Sequence, residues 1–184
     1  MKPTDILREE HVLILEMLRV VNAACEKIDR GEMPDTARLA SMIDFIRNFA
    51  DKCHHAKEET LLFPALEKAG IPREGGPVGV MLHEHVLGRG YVKGMDEALG
   101  KMKAGDAKAA VHFIENARGY TTLLNAHINK ENNVLFMMAE QRLGPAEEKE
   151  LMEGFERVER EEIGEGVHEK YHALLHELRD AYMG

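Results

Sequence analysis

The chain has 184 residues, 44% hydrophobic but only 5% aromatic, with ten histidines, two cysteines and a formal net charge of −9, enough length for one cored domain or a domain with an appendage. An acidic balance with a pI near 5.6 excludes nucleic acid as the main partner, because gripping phosphates needs a basic stripe. No apolar run reaches the length of a membrane span, and the charged start Lys2 to Glu10 is no secretory signal, so a cytoplasmic protein with reduced thiols at Cys25 and Cys53 is expected.

Helical periodicity dominates, and no segment alternates like a strand for long. Thr4-Asp5 opens a first helix that runs to about Arg30 and stops at Gly31. Asp35 or Thr36 caps a second helix that continues to about Ala69, with Pro64 expected to bend its last turns. The Gly- and Pro-rich stretch from Gly70 to Pro77 divides the chain into two halves. A third helix spans about Pro77 to Lys103, Gly105-Asp106 makes a turn, and a fourth helix ends before Gly144-Pro145. Short links between four long helices predict an all-α, antiparallel up-down four-helix bundle over residues 1–144. The acidic remainder, 145–184, reads as two shorter helices broken near Gly164-Glu165-Gly166, a C-terminal helical extension packed on the bundle because it is too short to bury a core alone.

The two halves repeat. Cys53-His54-His55-Ala56-Lys57-Glu58-Glu59 through Leu62-Phe63 has a counterpart in His127-Ile128-Asn129-Lys130-Glu131 through Leu135-Phe136, with His54 falling on His127 and Glu58 on Glu131. Upstream, Glu10-His11-Val12-Leu13 recurs letter for letter as Glu84-His85-Val86-Leu87. Each half therefore carries a histidine, a long gap, and His-x-x-x-Glu. An i,i+4 pair shares one helix face at about 5–6 Å between Cβ atoms, which suits an imidazole and a carboxylate gripping one cation.

Helical phase separates inward from outward histidines. His85 and Glu84 lie near the centre of the apolar face drawn by Met81, Val92, Met95 and Leu99, whereas His83 points the opposite way and is expected in solvent. His127 and Glu131 lie inside the stripe of Phe113, Tyr120, Leu124 and Leu135, and His11 sits at the edge of its face. The second helix offers two overlapping pairs; the repeat and the face of Leu61 and Ala65 favour His54 with Glu58, and His55 with Glu59 is the alternative. One such pair is more often an ordinary helix-surface contact. Two copies with matched upstream histidines are different, because burying four imidazoles and two carboxylates without a cation is very costly. The spaced His168, His172 and His176 are better read as the polar face of an amphipathic helix. Cys53 is better read as a small buried apolar residue than as a redox thiol.

On His11, His54-x-x-x-Glu58, Glu84-His85 and His127-x-x-x-Glu131, the stretch of about residues 5 to 140 resembles the hemerythrin-like proteins, the HHE cation-binding domain family. The resemblance implies a cofactor of two iron ions, oxo- or hydroxo-bridged, reacting with dioxygen or a related diatomic or peroxide ligand. His11 and His54 would hold one iron, His85 and His127 the other, and Glu58 and Glu131 would bridge both. Oxygen-carrying members have a fifth histidine four residues from the one on the third helix, where this chain has Met81 on one side and Arg89 on the other. Tyr91, Glu84 or water are the candidates for that place. With two histidines each, both irons would keep an exchangeable position. The primary expectation is binding or sensing of dioxygen, or storing or sensing iron. The alternatives are a di-iron enzyme acting on peroxide, nitric oxide or ferrous ion, and a bundle in which metal only fixes the fold.

Overall fold

A computed structural model describes all 184 residues, and every regular element in it is helical. Helix α1 spans Pro3–Asp29 and ends where Gly31 adopts φ 89°, a left-handed conformation that costs glycine nothing. Helix α2 covers residues 36–68, its start fixed by the Asp35 carboxylate accepting from the Arg38 amide at 3.1 Å. Helix α3 spans Pro77–Lys103, α4 covers residues 109–142, α5 covers 145–163 and α6 spans Val167–Met183. None of these helices is long and apolar enough to cross a membrane.

Three helices depart from α geometry: α2, α4 and, over Val158–Ile163, α5. Within α2, Ile46–His55 and Glu58–Leu62 are wound as π-helix, and within α4 the same is true of Glu131–Leu135. Such wide turns recur at functional sites because they re-aim side chains that a regular helix would send elsewhere. The winding changes from π to α just before Pro64, where the sequence predicts a bend. Pro64 falls at the start of the α-helical piece Phe63–Lys68, where its missing N–H is least costly.

Cross-links between helices run in opposite senses. Asp29, Asn22, His11 and Thr4 on α1 meet Arg118, Thr121, Asn132 and Glu140 on α4, so numbers fall on one helix as they rise on the other. Arg47 and Glu59 on α2 meet Asp96 and Arg89 on α3 in the same reversed order. Between α3 and α4 the approach is close enough to require glycine. A Cβ on Gly119 would lie 2.4 Å from the Tyr91 ring, and one on Gly94 would lie 2.2 Å from the Asn116 side chain.

The extension seals one flank. Tyr171, Leu175 and Leu178 of α6 join the main core beside Phe45 and Phe49, and the Tyr171 hydroxyl donates to Asp44 at 3.0 Å. Leu151 and Phe155 of α5 join a smaller core with Leu7, Leu62, Phe63, Val78, Leu135 and Phe136. Cys25 and Cys53 are both buried and unpaired, and burial pushes their thiols up to about 11 and about 12, away from reactive thiolate.

Candidate metal centre

Between the two apolar cores lies a layer of polar side chains with almost no solvent contact. His11, His54, His85, His127, Glu58 and Glu131 are each at most 2% exposed, and all six converge there. His83 is exposed, as its helical phase predicts. Four helices each contribute at about mid-length, which is how a bundle brings residues distant in sequence to one point.

The donor atoms form two groups. His11, His54, Glu58 and Glu131 make one, and His55, Glu58, His85 and His127 make the other, with ligand atoms within 4.8 Å of one another in each. Glu58 reaches both, with one oxygen 3.3 Å from His54 Nε2 and the other 3.3 Å from His85 Nε2. Glu131 does the same, at 3.1 Å from His11 Nε2 and 3.0 Å from His127 Nε2. The repeat extends to the flanking rings: Phe63 stacks on His85 and Phe136 on His11.

His55 corrects the sequence expectation in two ways. It is 5% exposed and stacks on His85 with ring centroids 3.8 Å apart, so it accompanies His54 rather than competing with it. Glu59, its supposed partner, stands outside the centre and accepts from His85 Nδ1 at 2.7 Å. The second group thus has three histidines and the first two, so the donor sets are unequal where equal ones were expected. On α2, His55 stands beside His85, near the place where the histidine of α3 is missing. Tyr91 packs against Gly119, and Glu84 is held by Lys130 at 2.5 and 2.6 Å. The legible signal was the His54-His55 doublet itself.

The fit to metal is tested by the polar atoms left over. His11 Nε2, His54 Nε2, His127 Nδ1 and both oxygens of Glu58 and Glu131 are buried without a hydrogen-bond partner. At about 1–3 kcal/mol for each unsatisfied group, leaving all seven with neither a proton nor a cation between them would rival the roughly 5–15 kcal/mol net stability of a typical domain. All but His127 Nδ1 face the shared interior. Their separations of 3.0–3.3 Å match the edge of an octahedron with metal bonds of roughly 2.1 Å. An imidazole and carboxylate donor set suits iron, manganese or zinc, so the residues present fit a pair of cations.

Outward-facing nitrogens are anchored, as metal-binding imidazoles usually are. His54 Nδ1 pairs with Glu10 at 2.8 Å, His11 Nδ1 with Asn132 at 2.7 Å, and His55 Nδ1 with Asp51 at 3.2 Å. Arg89 bonds Asp51 at 2.9 Å and Glu59 at 2.7 Å, tying two of these anchors together.

Protons balance the buried carboxylates in the metal-free protein. Burial pulls His54 down, but the charge of Glu58 and the bond to Glu10 outweigh it and push the imidazole up to about 10. Burial likewise opposes His85, which contacts with Glu58 and Glu59 push up to about 9. Glu131 is held down to about 2: burial and the Glu58 charge oppose ionisation, and His127 and His11 outweigh them. His55 is the exception, lowered to about 4 by burial and by the charge of neighbouring His85. Two imidazolium ions thus stand where metal cations fit.

A cavity of about 210 Å³ opens beside the three-histidine group. His55, His85, His127 and Glu84 line its inner end, with Tyr120, Val92 and Leu124 as apolar wall and Arg47 and Lys93 among the charged lining residues.

Comparison with known proteins agrees with this architecture. An uncharacterized protein of Mycobacterium tuberculosis is 24% identical over 163 residues, covering 89% of this chain and 63% of that protein. A Mycobacterium bovis protein matches with the same figures. The iron-sulfur cluster repair protein YtfE of Edwardsiella ictaluri is 31% identical over 117 residues, 62% of this chain and 52% of that protein. This chain therefore spans less than two thirds of the length of these relatives. No solved structure gives a significant match. The hemerythrin HHE cation binding domain matches residues 2–139, which takes in both histidine groups and both shared carboxylates, and the chain belongs to that family.

Proposed function

We propose that the protein holds two iron ions, one between His11 and His54 and the other among His55, His85 and His127, with Glu58 and Glu131 bridging them, and that it binds or senses dioxygen there. The observation that carries this reading is the placement of Glu58 and Glu131, each with one oxygen toward either histidine group. Bound iron would supply a redox-active Lewis acid for a small ligand. The chain's own residues do the rest. The two carboxylates cancel part of the cation charge and hold the two positions close together. Phe63, Phe136 and the apolar layers on either side exclude bulk water, which strengthens every charge interaction inside. Three histidines fill the second position more completely than two fill the first, so the His11 and His54 side is the place for an exchangeable ligand.

A second reading is favoured by the cavity. About 210 Å³ is several times the roughly 30 Å³ that a water molecule occupies, and His55, His85 and His127 are among its lining residues. That room suits an enzyme acting on peroxide, nitric oxide or ferrous ion, and it is in keeping with the name of the YtfE relative. One experiment separates the readings: load the protein with ferrous iron without oxygen, then admit air. A new visible absorption that reverses when oxygen is removed is the expected result. An irreversible change, with added peroxide or nitric oxide consumed over many turnovers, would replace it with the enzyme reading. Zinc binding with no optical response to oxygen in the iron form would leave metal a purely structural part.

A further inference from the structure

The twofold repeat continues past the candidate ligands, and there its symmetry breaks. Glu10, His54 and Lys57 of the first half correspond to Glu84, His127 and Lys130 of the second. In the second half the set is open. Lys130 grips Glu84, but His127 Nδ1 stays 3.8 Å from that carboxylate, and Lys130, whose side chain is 44% exposed, has no ion pair to α5 or α6. In the first half the set is closed. His54 Nδ1 bonds Glu10 at 2.8 Å, Lys57 Nζ donates to the other Glu10 oxygen, and the same ammonium donates to Glu159 of α5 at 2.6 Å.

Lys57 has no exposed side-chain surface, so its charge survives burial only because two carboxylates share it. Glu10, Glu159 and His168 lie close enough to resemble a third cation site, but the Lys57 ammonium already lies between the two acids. Without Glu159 that ammonium would draw on Glu10 alone. Glu10 would then be a weaker acceptor for His54, and an uncompensated positive charge would sit beside two cations. The closed half thus differs from the open one in drawing on the C-terminal extension, whose Glu159 is the second carboxylate on Lys57.

We infer that Glu159 is a positioning residue of the metal centre. Through Lys57 and Glu10 it locks His54, and so α5 helps retain the ion held by His11 and His54 but not its neighbour. This rests on the two-metal reading above.

The test uses the full chain loaded with cobalt(II) and follows release of both ions to a chelator. Glu159→Ala is expected to release one ion about tenfold faster, the low end for loss of an outer partner, and to leave the other at its original rate. Glu159→Gln, which keeps an oxygen acceptor for Lys57, should recover most of the loss, and exposed Glu161→Ala should change nothing. The melting temperature of the metal-free Glu159→Ala protein should fall, because Lys57 loses one of the two carboxylates that share its buried charge; a merely structural role would not speed the release of one ion alone. Equal acceleration of both ions, or no change in either, overturns the inference. Failure of the parent chain to hold two ions would instead overturn the two-metal reading.

Discussion

Glu58→Gln is expected to empty both metal positions together, lowering affinity at each by more than about 100-fold, beyond the tenfold to hundredfold that an outer partner is worth. The reason is geometric: its two oxygens face His54 and His85 separately, so one substitution removes a ligand from each group. The amide that replaces it has one acceptor oxygen and no charge. The metal-free variant should remain folded, because the amide keeps the shape and His54 and His85 can shed their protons once the carboxylate that holds them is gone. Metal analysis after loading, with circular dichroism as the folding control, reads both outcomes. Loss of a single ion would show that Glu58 serves one position only.

Metal binding should also displace protons and tighten steeply as pH rises. In the metal-free protein His54 is pushed up to about 10 and His85 up to about 9, so both carry a proton near neutral pH, and ligation requires both to lose it. The sign follows from linkage. The raised imidazoles stabilise the metal-free fold fully below their ordinary range near 6.5, and that stability fades as pH climbs through about 9 to about 10. Metal competes with those protons. Cobalt(II) affinity should therefore increase by up to about a hundredfold per pH unit between about pH 6.5 and about pH 8.5, with about two protons released per chain on loading. A calorimetric titration in buffers of different ionisation enthalpy measures that number. Affinity that is flat across this range would mean that His54 and His85 carry no proton to displace.

The long-range organisation was legible because the repeat is covalent information. The repeated Glu-His pairs point to His11 and His85, and the matched His-x-x-x-Glu motifs to His54, Glu58, His127 and Glu131, all of which the fold brings into two adjoining donor groups. Helix ends were legible for local reasons, such as Asp35 at a helix start and Gly31 just past a helix end. From the sequence, His54 and His55 stand as alternatives because two adjacent residues on a regular helix point about 100° apart, and only one can face a single central point. The donor atoms fall into two groups side by side, and the π-wound Ile46–His55 segment sends His54 to one and His55 to the other. Nothing local announces π winding, which depends on what the surrounding helices demand. Glu159 was out of reach for another reason. It belongs to an acidic run that resembles any solvated helix face, and only the packing of α5 brings it to Lys57, 102 residues away.

The most direct test of the two-metal centre is a count of tightly bound iron in protein reconstituted without oxygen, together with anomalous scattering to locate it. Two ions per chain, one beside His11 and His54 and one among His55, His85 and His127, are predicted. One ion or none, or scattering peaks at His168, His172 and His176 in place of the bundle interior, would contradict it.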